Sequence, residues 1–120
     1  MVYVDGFIIP VPKKNVKAYV KIAKLAGKVW REYGALDYKE CVADDVKKGK
    51  WTSFPRSVKQ KPSETVIFSY IVYKSRKDRD RILKAVMADK RLAKMMQDPK
   101  NMPFDAKRMI YGGFKTIVDA

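Results

Sequence analysis

Thr65-Val66-Ile67-Phe68-Ser69-Tyr70-Ile71-Val72-Tyr73 decides the fold. Apart from Ser69, every residue in it is β-branched or aromatic, the composition of a strand. Side chains alternate across a strand, so Phe68, Tyr70 and Val72 share one face while Ile67, Ser69 and Ile71 share the other. Both faces are apolar.

The chain on either side supplies the rest of a small α+β domain. Upstream lies a basic, irregular stretch from Lys47 to Ser63 with Pro55 and Pro62. Before it, Leu36 to Val46 reads as a strand, with Asp44, Asp45 and Gly49 in the turn that follows. Lys13 to Tyr33 reads as a helix whose apolar residues Val16, Tyr19, Val20, Ala23, Ala26, Trp30 and Tyr33 recur every three or four positions. Gly34 stands where a helix-terminating glycine belongs. Val2 to Val11 reads as the first strand, closed by Pro10 and Pro12. Downstream, Ser75 starts a second helix with Asp78 as its capping-box partner, and Ile82, Leu83, Val86 and Met87 form the apolar face. A short helix over Asp89 to Met96, a loop over Gln97 to Asp105 and a last strand over Met109 to Val118 complete the chain. No repeat, low-complexity tract or linker interrupts residues 1–120, so one domain is expected.

The order β-α-β-β-α-β is the ferredoxin-like, split βαβ pattern. It gives a four-stranded antiparallel sheet with the helices on one face. The first strand places Tyr3, Phe7 and Ile9 on one side with Asp5, and Val2, Val4 and Ile8 on the other. In the last strand Ile110 and Phe114 oppose Met109 and Tyr111. Two helices cover one apolar sheet face and leave the second open. Such a face is rare in a monomer, and a second copy of the same sheet is its simplest cover. A homodimer is therefore expected, with Tyr3, Phe68 and Tyr70 at the covered face. The alternative cover, the 47–63 segment folding back over the sheet, is short and lysine-rich.

Composition excludes more than it assigns. There are 27 Lys and Arg against 13 Asp and Glu, a net charge of +14. That excess suits polyanionic partners without naming one. Histidine is absent, which removes Ser-His-Asp and Cys-His catalysis and the usual zinc and haem ligand sets. No Walker loop occurs. The single cysteine, Cys41, admits no internal disulfide and is read as a small strand residue. Neither a signal peptide nor a membrane-spanning run is visible, so a cytoplasmic protein is expected. No cofactor is implied, and the sequence does not say whether the protein is an enzyme.

The blocks Tyr3-Val4-Asp5-Gly6-Phe7, Gly34-Ala35-Leu36, Glu40-Cys41-Val42-Ala43-Asp44-Asp45-Val46 and Met102-Pro103-Phe104-Asp105-Ala106-Lys107-Arg108-Met109-Ile110-Tyr111-Gly112-Gly113-Phe114 resemble the YbaA-like family of short bacterial proteins of unknown function. The resemblance implies a dimeric α/β-barrel, in which two ferredoxin-like sheets pack face to face. It brings no activity, cofactor or catalytic residue, and this chain is more basic than such a resemblance leads one to expect.

Candidate functional residues come from polar groups set among apolar strand positions. Asp5, Glu40, Tyr70 and Arg108 are the candidate polar groups of a small-molecule pocket, between sheet and helices or inside the dimer barrel. A carboxylate there would have a raised pKa and could work as an acid or base; the competing role is a buried ion pair. Asp44 and Asp45, near Glu40, lack an EF-hand spacing and a third fixed ligand, so no metal site is assigned. Lys17, Lys21, Lys24, Lys28 and Arg31 fall in one narrow arc of the first helix. With Lys47, Lys48, Lys50, Arg56, Lys59 and Lys61 they are the candidates for binding nucleic acid without sequence preference. The first- and third-strand aromatics partly echo an RNA-recognition motif, but its leading basic-Gly pair is replaced by Val66 and Ile67.

Overall fold

The computed structural model describes residues 1–96 and 102–120. Four strands, β1 (Tyr3–Pro12), β2 (Asp37–Val42), β3 (Glu64–Tyr73) and β4 (Ile110–Lys115), form one antiparallel sheet in the order β2-β3-β1-β4. The helices are α1 (Val16–Glu32), the single turn α2 (Phe54–Ser57), α3 (Arg76–Met87) and α4 (Lys90–Met96). This is the ferredoxin-like arrangement expected from the element order.

Register assigns the two faces. Tyr3 pairs with Tyr73, Asp5 with Ile71 and Ile9 with Ile67, so these residues lie on the side covered by the long helices. There the core runs through Ile71, Tyr73, Val29, Ile82 and Val86, with Ile9, Val11, Tyr19 and Ala23 continuing it toward the start of α1. Val4, Ile8, Phe68, Tyr70, Val72, Ile110 and Phe114 share the opposite, open side. Tyr3 is thus not a neighbour of Phe68 and Tyr70. The pairing of Tyr3 with Tyr73 sets its parity, and its ring lies inside the helix layer at 9 % exposure.

The local boundaries have identifiable causes. Ser75 caps α3 by accepting a hydrogen bond from the Asp78 N–H at 3.1 Å, while the Asp78 carboxylate turns to Arg81. Gly34, at φ +116°, follows α1 and lets the Ala35 N–H reach back to the Trp30 carbonyl. β2 is shorter than the expected 36–46 because its ladder with β3 ends at the pairing of Val42 with Ile67, one backbone bond beyond which joins Ala43 to Val66. β4 stops at Lys115 because its partner β1 begins at Tyr3; Ile117 and Val118 beyond it are exposed. The expected loop over 97–105 falls in part outside the described residues.

The 47–63 segment covers one end of the open face only. It carries the buried Pro55 and Val58, and Phe54 meets Phe68 edge-on at 6.1 Å. Phe68 still keeps 44 % of its surface in water, and Phe114 keeps 65 %. The Phe114 ring lies over the paired Gly6 and Gly112, each of which would bring a Cβ into contact with it.

Candidate functional site

A polar constellation between α1 and the sheet centres on Glu40. β2 presents Tyr38 and Glu40 on the helix side, two residues apart. The Tyr38 hydroxyl donates to Glu40 Oε2 at 2.6 Å, and the Tyr19 hydroxyl, from α1, donates to Glu40 Oε1 at 2.7 Å. Each carboxylate oxygen thus accepts one phenol. Burial, followed by the negative charge of Glu40, pushes both phenols far above their ordinary pKa. Both therefore stay protonated and remain donors.

Gly27 makes the clasp fit. A Cβ there would stand 2.9 Å from Tyr38 Cδ1, so α1 can approach the ring only through a glycine. Trp30, one turn farther along α1, also packs on Tyr38, their tilted ring centres 6.0 Å apart.

Glu40 borders two spaces. On the inner side is a chamber of about 180 Å³ between sheet and helices, walled by Phe7, Ile71, Trp30, Leu92, Met95 and Phe104 among others. An apolar void of about 150 Å³ is enough to hold a benzene-sized molecule. On the outer side a surface groove between α1 and β2 is edged by Lys24, Lys28 and Arg31. A carboxylate that both spaces share can meet a ligand arriving from water and anchor its polar end while the apolar part goes inward.

The other three candidates lie elsewhere. Asp5 is 6 % exposed and sits 3.4 Å from Arg79 Nη1, not near Arg108. Burial raises its pKa, against the opposing influence of the Tyr73 hydroxyl and Arg79. Tyr73 in turn accepts from Trp30 Nε1 at 3.0 Å, and Arg79 lies 5.0 Å above the Tyr3 ring and donates to its hydroxyl. Arg108 is bound through both terminal nitrogens to Glu64, at 2.8 and 2.6 Å, and also to Asp105 and the carbonyls of Val58 and Lys59. Its hydrogen bonds hold Glu64 below the ordinary carboxylate range. Tyr70 is on the open face beside Phe68, ring centres 6.2 Å apart. The structure therefore brings Glu40 alone of the four to the chamber and supplies Tyr19 and Tyr38, to which the sequence assigns no role. The Tyr38–Glu40 spacing is a visible signal for one of them; Tyr19 comes from a different element.

The predicted basic arc is present: Lys17, Lys21, Lys24, Lys28 and Arg31 are all exposed on α1. Arg31 is partly engaged, donating to the Ala35 and Leu36 carbonyls past the helix end. Asp44 and Asp45 are exposed, and among the described residues no three potential ligands gather as a metal site. Among those residues, too, no helix is long and apolar enough to cross a membrane.

Residues 2–106 match the family described as "Protein of unknown function (DUF1428)". The chain belongs to this family. "Uncharacterized protein YbaA" of Escherichia coli (strain K12) is 45 % identical over 119 residues, covering 99 % of both chains, and the protein of that name in Shigella flexneri matches equally. Two solved structures share the DUF1428 chain's fold. "Putative antibiotic biosynthesis monooxygenase from Nitrosomonas europaea" superposes with a TM-score of 0.61 at 14 % identity, covering 97 % of this chain and 90 % of that one. An uncharacterized NIPSNAP domain protein from Burkholderia xenovorans superposes with a TM-score of 0.57 at 11 % identity, covering 98 % and 97 %. At those identities the likeness is one of fold, and the ferredoxin-like assignment of the YbaA-like family member rests on it together with the sheet order.

Proposed function

We propose that this protein is a cytoplasmic homodimer that binds a small, largely apolar molecule carrying a hydrogen-bond donor. The observation that supports the ligand class is the position of Glu40. Its two oxygens accept from Tyr19 and Tyr38 at the boundary between an apolar chamber and a solvent-facing groove. A carboxylate so oriented keeps lone pairs for a further donor, and apolar walls select the rest of the ligand. The uncovered face of Phe68, Tyr70, Ile110 and Phe114 supports the dimer, since burying these residues against a second sheet removes them from water. The exposed, unpaired Cys41 suits a reducing compartment.

The test uses p-cresol and toluene, which differ by one hydroxyl, read by isothermal titration and by the emission of Trp30 in the chamber wall. p-Cresol binds more tightly than toluene, and Glu40→Gln together with Tyr38→Phe reduces that preference about tenfold, the effect of roughly 1.4 kcal/mol. Equal binding of the two compounds, or exclusion of both, overturns the ligand reading. The dimer is read separately by sedimentation, where a mass near 13.9 kDa for the native protein would exclude it.

A further inference from the structure

A second concave surface is independent of the Glu40 chamber. A groove of about 720 Å³ runs between the Lys59–Glu64 turn, α2 and the chain that follows β2. Lys13, Lys48, Arg56, Lys59 and Lys61 line it, with Asp44. Among the described residues none of the four lysines has a carboxylate within salt-bridge distance. Arg56 donates to the Lys48 and Gly49 carbonyls, so its charge also lacks an acidic partner. Glu64 faces the groove, but Arg108 occupies both its oxygens.

The walls are fastened. Arg108 ties the Val58 and Lys59 carbonyls to Glu64 on one side, and Arg56 ties Lys48 and Gly49 to α2 on the other. The Lys13 N–H bonds the Ser63 carbonyl, extending the β1–β3 ladder one step past the Pro12–Glu64 pair. The backbone that carries these cations is therefore fastened around a concave surface, while the lysine side chains themselves are exposed. Two residues past Gly49, Trp51 leaves 87 % of its surface in water. The run Lys47-Lys48-Gly49-Lys50-Trp51 thus places an exposed indole three residues along the chain from Lys48, outside the groove lining but on the same loop.

We infer that this groove binds single-stranded nucleic acid, its lysines following the phosphates while Trp51 stacks on a base. A cationic groove with an aromatic platform is the general design of sequence-tolerant strand binding. The groove accounts for strand binding better than the other surfaces do. The α1 arc has no exposed aromatic ring among its lysines, and on the sheet Tyr3 is turned away from Phe68 and Tyr70.

The experiment titrates the full-length protein with fluorescein-labelled oligothymidylate and oligouridylate, followed by anisotropy and by Trp quenching. Both strands bind with similar affinity. At about 200 mM salt Trp51→Ala weakens binding about tenfold, the effect of removing one stack, and Trp51→Phe restores most of it. Replacing Lys48, Lys59 and Lys61 together by Gln flattens the salt dependence by about 0.7 in log–log slope for each phosphate that is no longer neutralised. Replacing Lys21 and Lys28 by Gln flattens it less. All these positions are exposed, so circular dichroism stays unchanged, and the Trp51 and lysine variants test the groove separately. The inference falls if Trp51→Ala binds like the native protein. It falls equally if duplex DNA, polyglutamate or phosphatidylserine vesicles bind as well as the single strand with the same dependence on Trp51, or if dimerisation alone shields Trp51 from acrylamide.

Discussion

The two faces of the sheet are built from similar residues and end in different states. On the helix side, Ile67 is 3 % exposed and Tyr73 fully buried; one residue along from Ile67, on the open side, Phe68 is 44 % exposed. The carboxylates on the helix side have found partners. Glu40 has Tyr19 and Tyr38, and Asp5 has Arg79. The central open face carries aromatic rings and opposed glycines instead. The contrast gives the two apolar sides of β3 different states: one builds the monomer's core, and the other leaves Phe68 half in water, the surface on which the proposed dimer rests.

Substitution on adjacent residues of β3 is the sharpest way to break that comparison. Ile67→Asp places a charge in the helix-side core, costs about 5 kcal/mol or more and leaves no cooperative unfolding transition. Phe68→Asp leaves helix and sheet content intact by circular dichroism and gives a monomer in sedimentation. A Phe68→Asp protein that still pairs would remove the open face from the interface.

The next effect is at Glu64, 4 % exposed at the sheet end under the 54–63 segment. Glu64→Gln leaves Arg108 without its main partner and costs about 3 kcal/mol in urea unfolding. Because the folded-state pKa of Glu64 lies below its unfolded value, the pair's contribution is full above the ordinary glutamate range. It is lost as pH falls through the folded value. The variant's stability is correspondingly flatter in acid.

Asp5 has the opposite sign. Its pKa is raised, so the folded state holds the proton longer and native stability declines as pH rises from the ordinary aspartate range through the raised value. Asp5→Asn removes that decline and costs about 1–2 kcal/mol, the worth of one charge-assisted interaction. The smallest change is Tyr38→Phe, about 1 kcal/mol in stability, because Tyr19 still holds Glu40. Its main consequence is the altered ligand preference.

Much of this is legible in the sequence. Element order follows from the β-branched runs and the three-or-four spacing of α1, and the two-faced sheet from alternation within single strands. What alternation within one strand cannot supply is the phase between strands. Tyr3 looks interchangeable with Phe68 until its pairing with Tyr73 assigns it to the helices. The pairing of charges is hidden for the same reason. Asp5 meets an arginine from α3, and Arg108 meets the first residue of β3, partners brought together from elements far apart in the chain. Glu40 can be found because it stands out as an acid among Tyr38 and Val42, a signal contained within six residues of strand.

Arg108 also makes an early part of the chain depend on a late one. The turn over residues 58–64 is complete in the chain long before residue 108 emerges from a ribosome, yet its carbonyls and Glu64 depend on that side chain. β4, which Arg108 precedes, docks on β1 and not on the neighbouring β3. The lysine-lined groove therefore has its full set of fastenings only when residue 108 is in place, and a nascent or C-terminally clipped chain would carry the same cations on a turn that lacks its Arg108 bonds.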